Sequence, residues 1–239
     1  MKTGSKHKVA ALDKVLGVCN AYGSGYMPSK SSLTPTAMKT LLELAQEKLK
    51  AVTVTRTAYA MAVNARAEAF AGIPALAAQI TRLASASGAS SEDIREVRMI
   101  KSKFYTARKK KSQVMNGSQP EGGPAPQGTR SSSRLDMLGK METFENLIQV
   151  VQSIPGYNPN EPEFKVEALR AKLAELRDAC NAVAMASIAY SNAQVARDMV
   201  IYGAEGVVET KRAAMDYLRG KFGVRSAESY KANIQASDF

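Results

Sequence analysis

The chain has 239 residues, with 33 Lys and Arg against 22 Asp and Glu, a formal net charge of +11, one His, two Cys and no Trp. A lone histidine, His7, argues against a Ser-His-Asp triad, a Cys-His pair or a multi-histidine metal site, and two cysteines make no disulfide framework. No apolar run reaches the roughly 18 residues that a membrane span requires, and no apolar segment follows the basic start Lys2, Lys6 and Lys8, so no secretory signal is expected.

Alanine and methionine are abundant and aromatics sparse, a mixture suited to close-packed helices rather than strands. The expected class is all-α. Cys19 and Cys180 read as small buried hydrophobes in a reducing, cytoplasmic setting. The charge is uneven. Residues 1–104 carry +8, residues 105–140 carry +5 and residues 141–239 carry −2. Such asymmetry fits a polyanion partner, head-to-tail attraction between copies, or simply a solvated basic surface.

In chain order, residues 1–7 read as a frayed start. Val9, Leu12, Val15, Leu16 and Cys19 have helical spacing over residues 8–21. Gly23, Gly25, Tyr26 and Pro28 then make a loop. Thr34 has the chemistry of an N-cap, and Pro35 suits the first helical position, whose amide has no helical partner. A long helix follows. Its inward set is Met38, Leu42, Ala45, Leu49, Val52, Arg56, Tyr59, Val63, Arg66 and Phe70, spaced alternately by four and three. At 1.5 Å per residue it is on the order of 55 Å long. Gly72 and Pro74 break it. A third helix over residues 74–87 would turn Leu76, Ile80 and Leu83 inward, with Gly88 as its stop. Ser91 starts a short helix ending near Phe104. There Glu92, Asp93 and Glu96 favour the helix dipole rather than form a catalytic pair.

Residues 116–133 are rich in Gly, Pro, Ser and Gln and follow the basic run Arg108, Lys109, Lys110 and Lys111. Such a composition cannot bury enough apolar surface to order itself. The run has Tyr105 beside it and could meet phosphates non-specifically. Basic runs are also common in linkers.

From Arg134 the pattern begins again. Leu135, Leu138, Met141, Phe144, Leu147, Ile148 and Val151 give an amphipathic helix, closed by Pro155, Gly156 and Tyr157. A second long seam follows in Leu169, Leu173, Leu176, Cys180, Val183, Ser187, Tyr190, Gln194, Arg197 and Ile201, with Asn160 and Glu163 as a potential capping box. Gly203 and Gly206 end it or bend it into the next helix. That helix would bury Val207, Ala214, Met215, Leu218 and Phe222 and stop at Gly223. Ser226 then opens a short helix ending near Phe239.

The two stretches are copies in register. Tyr190 lies 131 positions after Tyr59, and the same shift carries Gly25, Tyr26 and Pro28 onto Gly156, Tyr157 and Pro159, and Arg66 onto Arg197. A shift of 135 carries Gly88 onto Gly223 and Phe104 onto Phe239. Internal repetition of this length defines architecture. The expectation is two tandem, internally duplicated helical units, residues 1–104 and 135–239, joined by a basic connector, 105–134. Their long helices would form an antiparallel bundle with pseudo-twofold symmetry.

Arg66 and Arg197 stand one heptad after Tyr59 and Tyr190 on the seam. A guanidinium there needs a partner. It could be an ion pair or carbonyl clamp that fixes helix register, or an anion site between the copies. Arg56 has no twin, since Ser187 stands at its place, and reads as a snorkelling side chain. Tyr26 and Tyr157 would each fold over a helix end and bond a free backbone group through the hydroxyl. An interaction hot spot is the alternative.

With the two Gly-Tyr-x-Pro loops, the Phe222-Gly223-Val224-Arg225-Ser226 stop and the terminal Phe239, the chain resembles a group of uncharacterised bacterial all-helical proteins that share this loop, the long helix and the Phe-Gly-x-x-Ser ending. The first copy departs from that ending, with Ser87-Gly88 in place of Phe222-Gly223. The resemblance implies a fold and no activity.

No phosphate loop, dinucleotide fingerprint or metal-spaced cluster is present. The expected function is therefore a non-enzymatic structural or scaffold protein, without cofactor, that associates with itself head to tail into a ring or filament. The alternative is a nucleic-acid-associated protein using the first repeat and the connector. A membrane-active bundle is a third and poorer fit.

Overall fold

The computed structural model describes residues 4–105 and 132–223, and only the backbone of 132–136. Regular structure among them is all helical: α1 (Ser5–Ala21), α2 (Pro35–Ala71), α3 (Ile73–Ala86), α4 (Ser91–Lys103), α5 (Ser132–Ser153), α6 (Val166–Tyr202) and α7 (Val207–Phe222). Short 3-10 turns occur at Gly23–Gly25, Ser31–Leu33 and Pro162–Phe164. The all-α class expected from composition is what these residues adopt. Both α2 and α6 are 37 residues long. The turns before them and the helices themselves keep the 131-position offset at both ends.

The helices start and stop where side-chain chemistry dictates. The Ala37 amide donates to the Thr34 hydroxyl at 3.3 Å, satisfying one of the free amides of α2. Ser90 caps α4, and Asp93 returns the bond to the Ser90 amide at 3.2 Å, so Asp93 is a capping carboxylate. Gly88 and Gly223 both have positive φ, at 79° and 89°, beyond the ends of α3 and α7.

Several expectations need correction. Ser5 to His7 belong to the first turn of α1 rather than to a frayed end. The Asn160–Glu163 capping box does not form, because Pro162–Phe164 is a 3-10 turn and α6 starts three residues after Glu163. The α6 helix does not run on into α7; it ends at Tyr202, and Gly203 to Gly206 form a break. The buried face of α3 is rotated from the expected one. Ile73, Ala77, Ile80 and Ala84 are fully covered, while Leu76 and Leu83 only flank the core. Leu138 is exposed, and Phe222 is half-buried.

The described residues form two compact units. One combines those up to Met61 with those from Ala184 onward; the other holds those between Ala62 and Val183. Each draws on both halves of the sequence. In the first, Leu12, Val15 and Leu16 of α1, Met38, Leu42 and Ala45 of α2, Ile201 of α6 and Leu218 of α7 share one core. Tyr22 and Phe222 bring α1 and α7 together with ring centroids 4.8 Å apart. In the second, Phe70 of α2, Ile80 of α3, Val97 of α4, Phe144 and Leu147 of α5, and Leu169, Leu173 and Leu176 of α6 share another. Covering each such leucine or phenylalanine contributes about 1.5–3 kcal/mol. Surface pairs such as Arg177 with Glu145, at 2.7 Å, add little to this.

The long seams are deeply buried toward the helix ends and, apart from Val183, mostly not in between. Val52, Tyr59 and Val63 of α2 and Ser187, Tyr190 and Gln194 of α6 are half-buried, and Arg56 is exposed. A uniform seam over nine turns is therefore not what forms.

One loop contact tolerates no side chain. A Cβ at Gly156 would stand 2.3 Å from the Ser87 carbonyl oxygen, whereas at Gly25 the nearest atom would be Tyr22 Cβ at 3.9 Å. Gly156→Ala is expected to destabilise the protein by about 1–3 kcal/mol, the usual penalty of overpacking, and Gly25→Ala by much less. Urea unfolding midpoints of the two variants check this.

Candidate functional site

The residues singled out by the repeat fall into three groups. The first is the pair of loop tyrosines. The Tyr26 hydroxyl donates to the Leu33 carbonyl at 2.9 Å, and the Tyr157 hydroxyl to the Phe164 carbonyl at 3.0 Å. Each acceptor ends a 3-10 turn just ahead of a long helix, where a carbonyl otherwise lacks a regular partner. Both rings are buried. Burial pushes the Tyr26 phenol far above its ordinary range and the Tyr157 phenol up to about 12.

The second group is the tyrosine pair on the seam. Tyr59 and Tyr190 stack with centroids 6.3 Å apart and planes 12° from parallel. An offset stack of this kind suits two half-buried rings and adds about 0.5–1.5 kcal/mol beyond area burial.

The third group is the arginine pair, and its members differ. Arg197 is half-buried, and its Nε and Nη2 both reach Asp198 Oδ1, at 2.9 and 2.8 Å. That ion pair lies between sequence neighbours on one helix, so it does not clamp helix register. Arg66 is only 9% exposed, and its Nε has no hydrogen-bond partner. Among the described residues, the ion pair or carbonyl clamp expected at Arg66 does not form. Position 67, which lies 131 residues before Asp198, is alanine. Cys180 lies within electrostatic reach of Arg66; burial pushes its thiol up and the guanidinium pulls it partly back. Cys180 is half-buried rather than buried, and both cysteines are free thiols.

Arg108, Lys109, Lys110 and Lys111 lie outside the described residues. Among the described residues no group of three His, Cys, Asp or Glu side chains could hold a metal ion. No helix of the described chain is long and apolar enough to cross a membrane.

No protein-family model, curated protein or solved structure matches the chain.

A second apolar stripe lies on α6, away from the seam. Met185, Ile188, Val195 and Met199 are between 54% and 70% exposed, and Tyr202 is 48% exposed. At 3.6 residues per turn this stripe is centred about 150° round from the seam. Its spacing of three, seven, four and three was visible in the sequence, but the seam on the opposite face gave a longer run of the same periodicity. The ring of Tyr202 also carries Lys8 Nζ at 4.2 Å from its centroid.

Two outcomes test these assignments. Arg66→Met removes a buried donor without a partner and is expected to leave stability unchanged or raise it by about 1–4 kcal/mol, while Arg197→Met changes it by under about 1 kcal/mol. Thermal unfolding at neutral pH distinguishes them. For the loop tyrosines, the folded-state pKa lies above the unfolded value of about 10. Their contribution is therefore complete below pH 10 and lost as pH rises through the folded value, about 12 for Tyr157. Tyr157→Phe is expected to cost about 1 kcal/mol at pH 7 and to flatten the alkaline fall in stability, measured by urea unfolding from pH 7 to 11.5.

Proposed function

We propose that this chain is a non-enzymatic scaffold that assembles with copies of itself in the cytoplasm. In this reading its two halves are duplicates whose long helices run antiparallel about a pseudo-twofold axis. The equal lengths of α2 and α6, the constant offset of their turns and the stacked Tyr59–Tyr190 pair support the duplication.

The observation that carries self-association is the second stripe of α6. Five large apolar side chains stand on one face of a helix whose opposite face is buried at Val183 and Ile201 and half-buried between them. Exposed rows at this spacing suit a helix of another molecule. The basic first half and mildly acidic second half favour a head-to-tail arrangement, which closes into a ring or extends into a filament according to the rotation between copies. Two free cysteines fit a reducing compartment.

Sedimentation velocity over a concentration and salt series tests the proposal. The wild type is expected to form oligomers that weaken with salt, and the variant Val195→Glu with Met199→Glu is expected to associate at least about tenfold more weakly, since each buried apolar side chain lost is worth about 1.5–3 kcal/mol. A wild type that stays monomeric at high concentration at every ionic strength would overturn it.

A further inference from the structure

The two Gly-Tyr-x-Pro loops share a backbone register, but only one is filled by the protein itself. In the first unit the loop is closed by α7. The Met27 amide donates to the Tyr217 hydroxyl at 3.2 Å, Lys221 Nζ donates to the Gly25 carbonyl, and the Tyr217 ring meets Tyr26 edge-on with centroids 5.2 Å apart. In the second unit the matching loop faces α3. The covered faces of α3 and α7 register at an offset of 134, with Ile73 on Val207, Ile80 on Ala214 and Ala84 on Leu218, one less than the 135 that joins Gly88 to Gly223. At 134, the places of Tyr217 and Lys221 are taken by Leu83 and Ser87. Both line a cavity of about 220 Å³ against Gly156, Tyr157, Asn158 and Glu161. Contact between Ser87 and Gly156 shows that the loop meets the same turn of the helix. Neither Leu83 nor Ser87 supplies what α7 supplies. No described protein group bonds the Asn158 amide or the Gly156 carbonyl.

We infer that this cavity binds a primary ammonium group carried on a hydroxylated aromatic frame. The first unit displays the chemistry: an ammonium on the glycine carbonyl and a phenol oxygen on the amide two residues later. Gly156 and Asn158 both line the cavity, and the helix beside it supplies neither a phenol nor an ammonium. The cavity wall is also better suited to a cation. Glu161 stands at the position held by Lys30 in the first loop, and the C-terminal carbonyls of α3 add negative potential. Its volume is below the ~300–1,000 Å³ of sites for drug-sized ligands, so the group is fragment-sized. It can arrive as a free arylalkylamine or as the Tyr and Lys side chains of a peptide. The inference rests on the two loops and is independent of self-association.

The test is a titration of the ¹⁵N-labelled full chain followed by amide shifts of Ser87, Gly156 and Asn158. The probes are tyramine, tyrosol, phenethylamine and a blocked peptide with Tyr and Lys four residues apart. Saturable shifts confined to these amides are expected with tyramine or the peptide, and whichever binds identifies the source. Tyrosol, without the ammonium, and phenethylamine, without the hydroxyl, are expected to bind at least about fivefold more weakly than tyramine. The variant Leu83→Tyr with Ser87→Lys fills the cavity from within and abolishes the response. Should that variant fail to fold, Glu161→Gln is expected to weaken binding by about threefold. No saturable shift with tyramine or peptide, or equal binding of tyramine and tyrosol, would overturn the inference. So would unchanged binding by the folded double variant or by Glu161→Gln.

Discussion

Two tyrosine hydroxyls, each donating to a carbonyl seven residues later, fix where the long helices begin. A buried carbonyl left without a donor costs about 1–3 kcal/mol, so the 3-10 turn is held against the ring. With the turn held, α2 starts at Pro35 and α6 at Val166. Those starting points decide which side chains face inward: Met38, Leu42 and Ala45 in one core, Leu169, Leu173 and Leu176 in the other. The glycine ahead of Tyr157 lets its loop approach the end of α3, a closeness that Gly25 does not share. Loop, turn and helix register thus form one cooperative device, present twice.

Much of this was legible in the sequence, because it depends on local chemistry. Thr34 with Pro35, and Gly88 and Gly223, punctuate the chain by rules that need no tertiary information. The seams were legible as periodicity. Their depth was not, since spacing says which face is apolar and not how many neighbours cover it. Val52, Tyr59 and Val63 have the right spacing and remain half-buried. The rotation of α3 was missed for a related reason. Ala77 and Ala84 pack as closely as the leucines, and small residues give a weak apolar signal for a tightly covered face. The Asn160–Glu163 box had the right residue types, but Pro162 initiates a 3-10 turn at that point.

The candidate site was less legible than the fold, because its content lies in pairings. That Arg66 and Arg197 occupy matching positions suggested a shared structural role. Their surroundings separate them. Arg197 is neutralised by the carboxylate next to it in sequence, which position 67 lacks. Identity at matching positions preserved the side chain and not the interaction. The apolar stripe of α6 was readable as spacing alone, and only its exposure distinguishes it from a second buried face.

The same separation governs the loops. Backbone geometry is retained in both, since the tyrosine bond and the turn that receives it recur at one offset. What differs is the helix that closes the loop. Tyr217 and Lys221 are long enough to bond the loop backbone from α7, while Leu83 of α3 and Ser87 at its C-terminal cap offer no such side-chain bond. Two loops of one backbone register keep their hydrogen-bonding groups in corresponding places whether or not helix side chains fill them. Backbone groups cannot be mutated away, so losing the filling side chains leaves oriented donors and acceptors behind. A difference on the helix alone is therefore enough to close one loop and leave the other beside an open cavity, with no change in the loop.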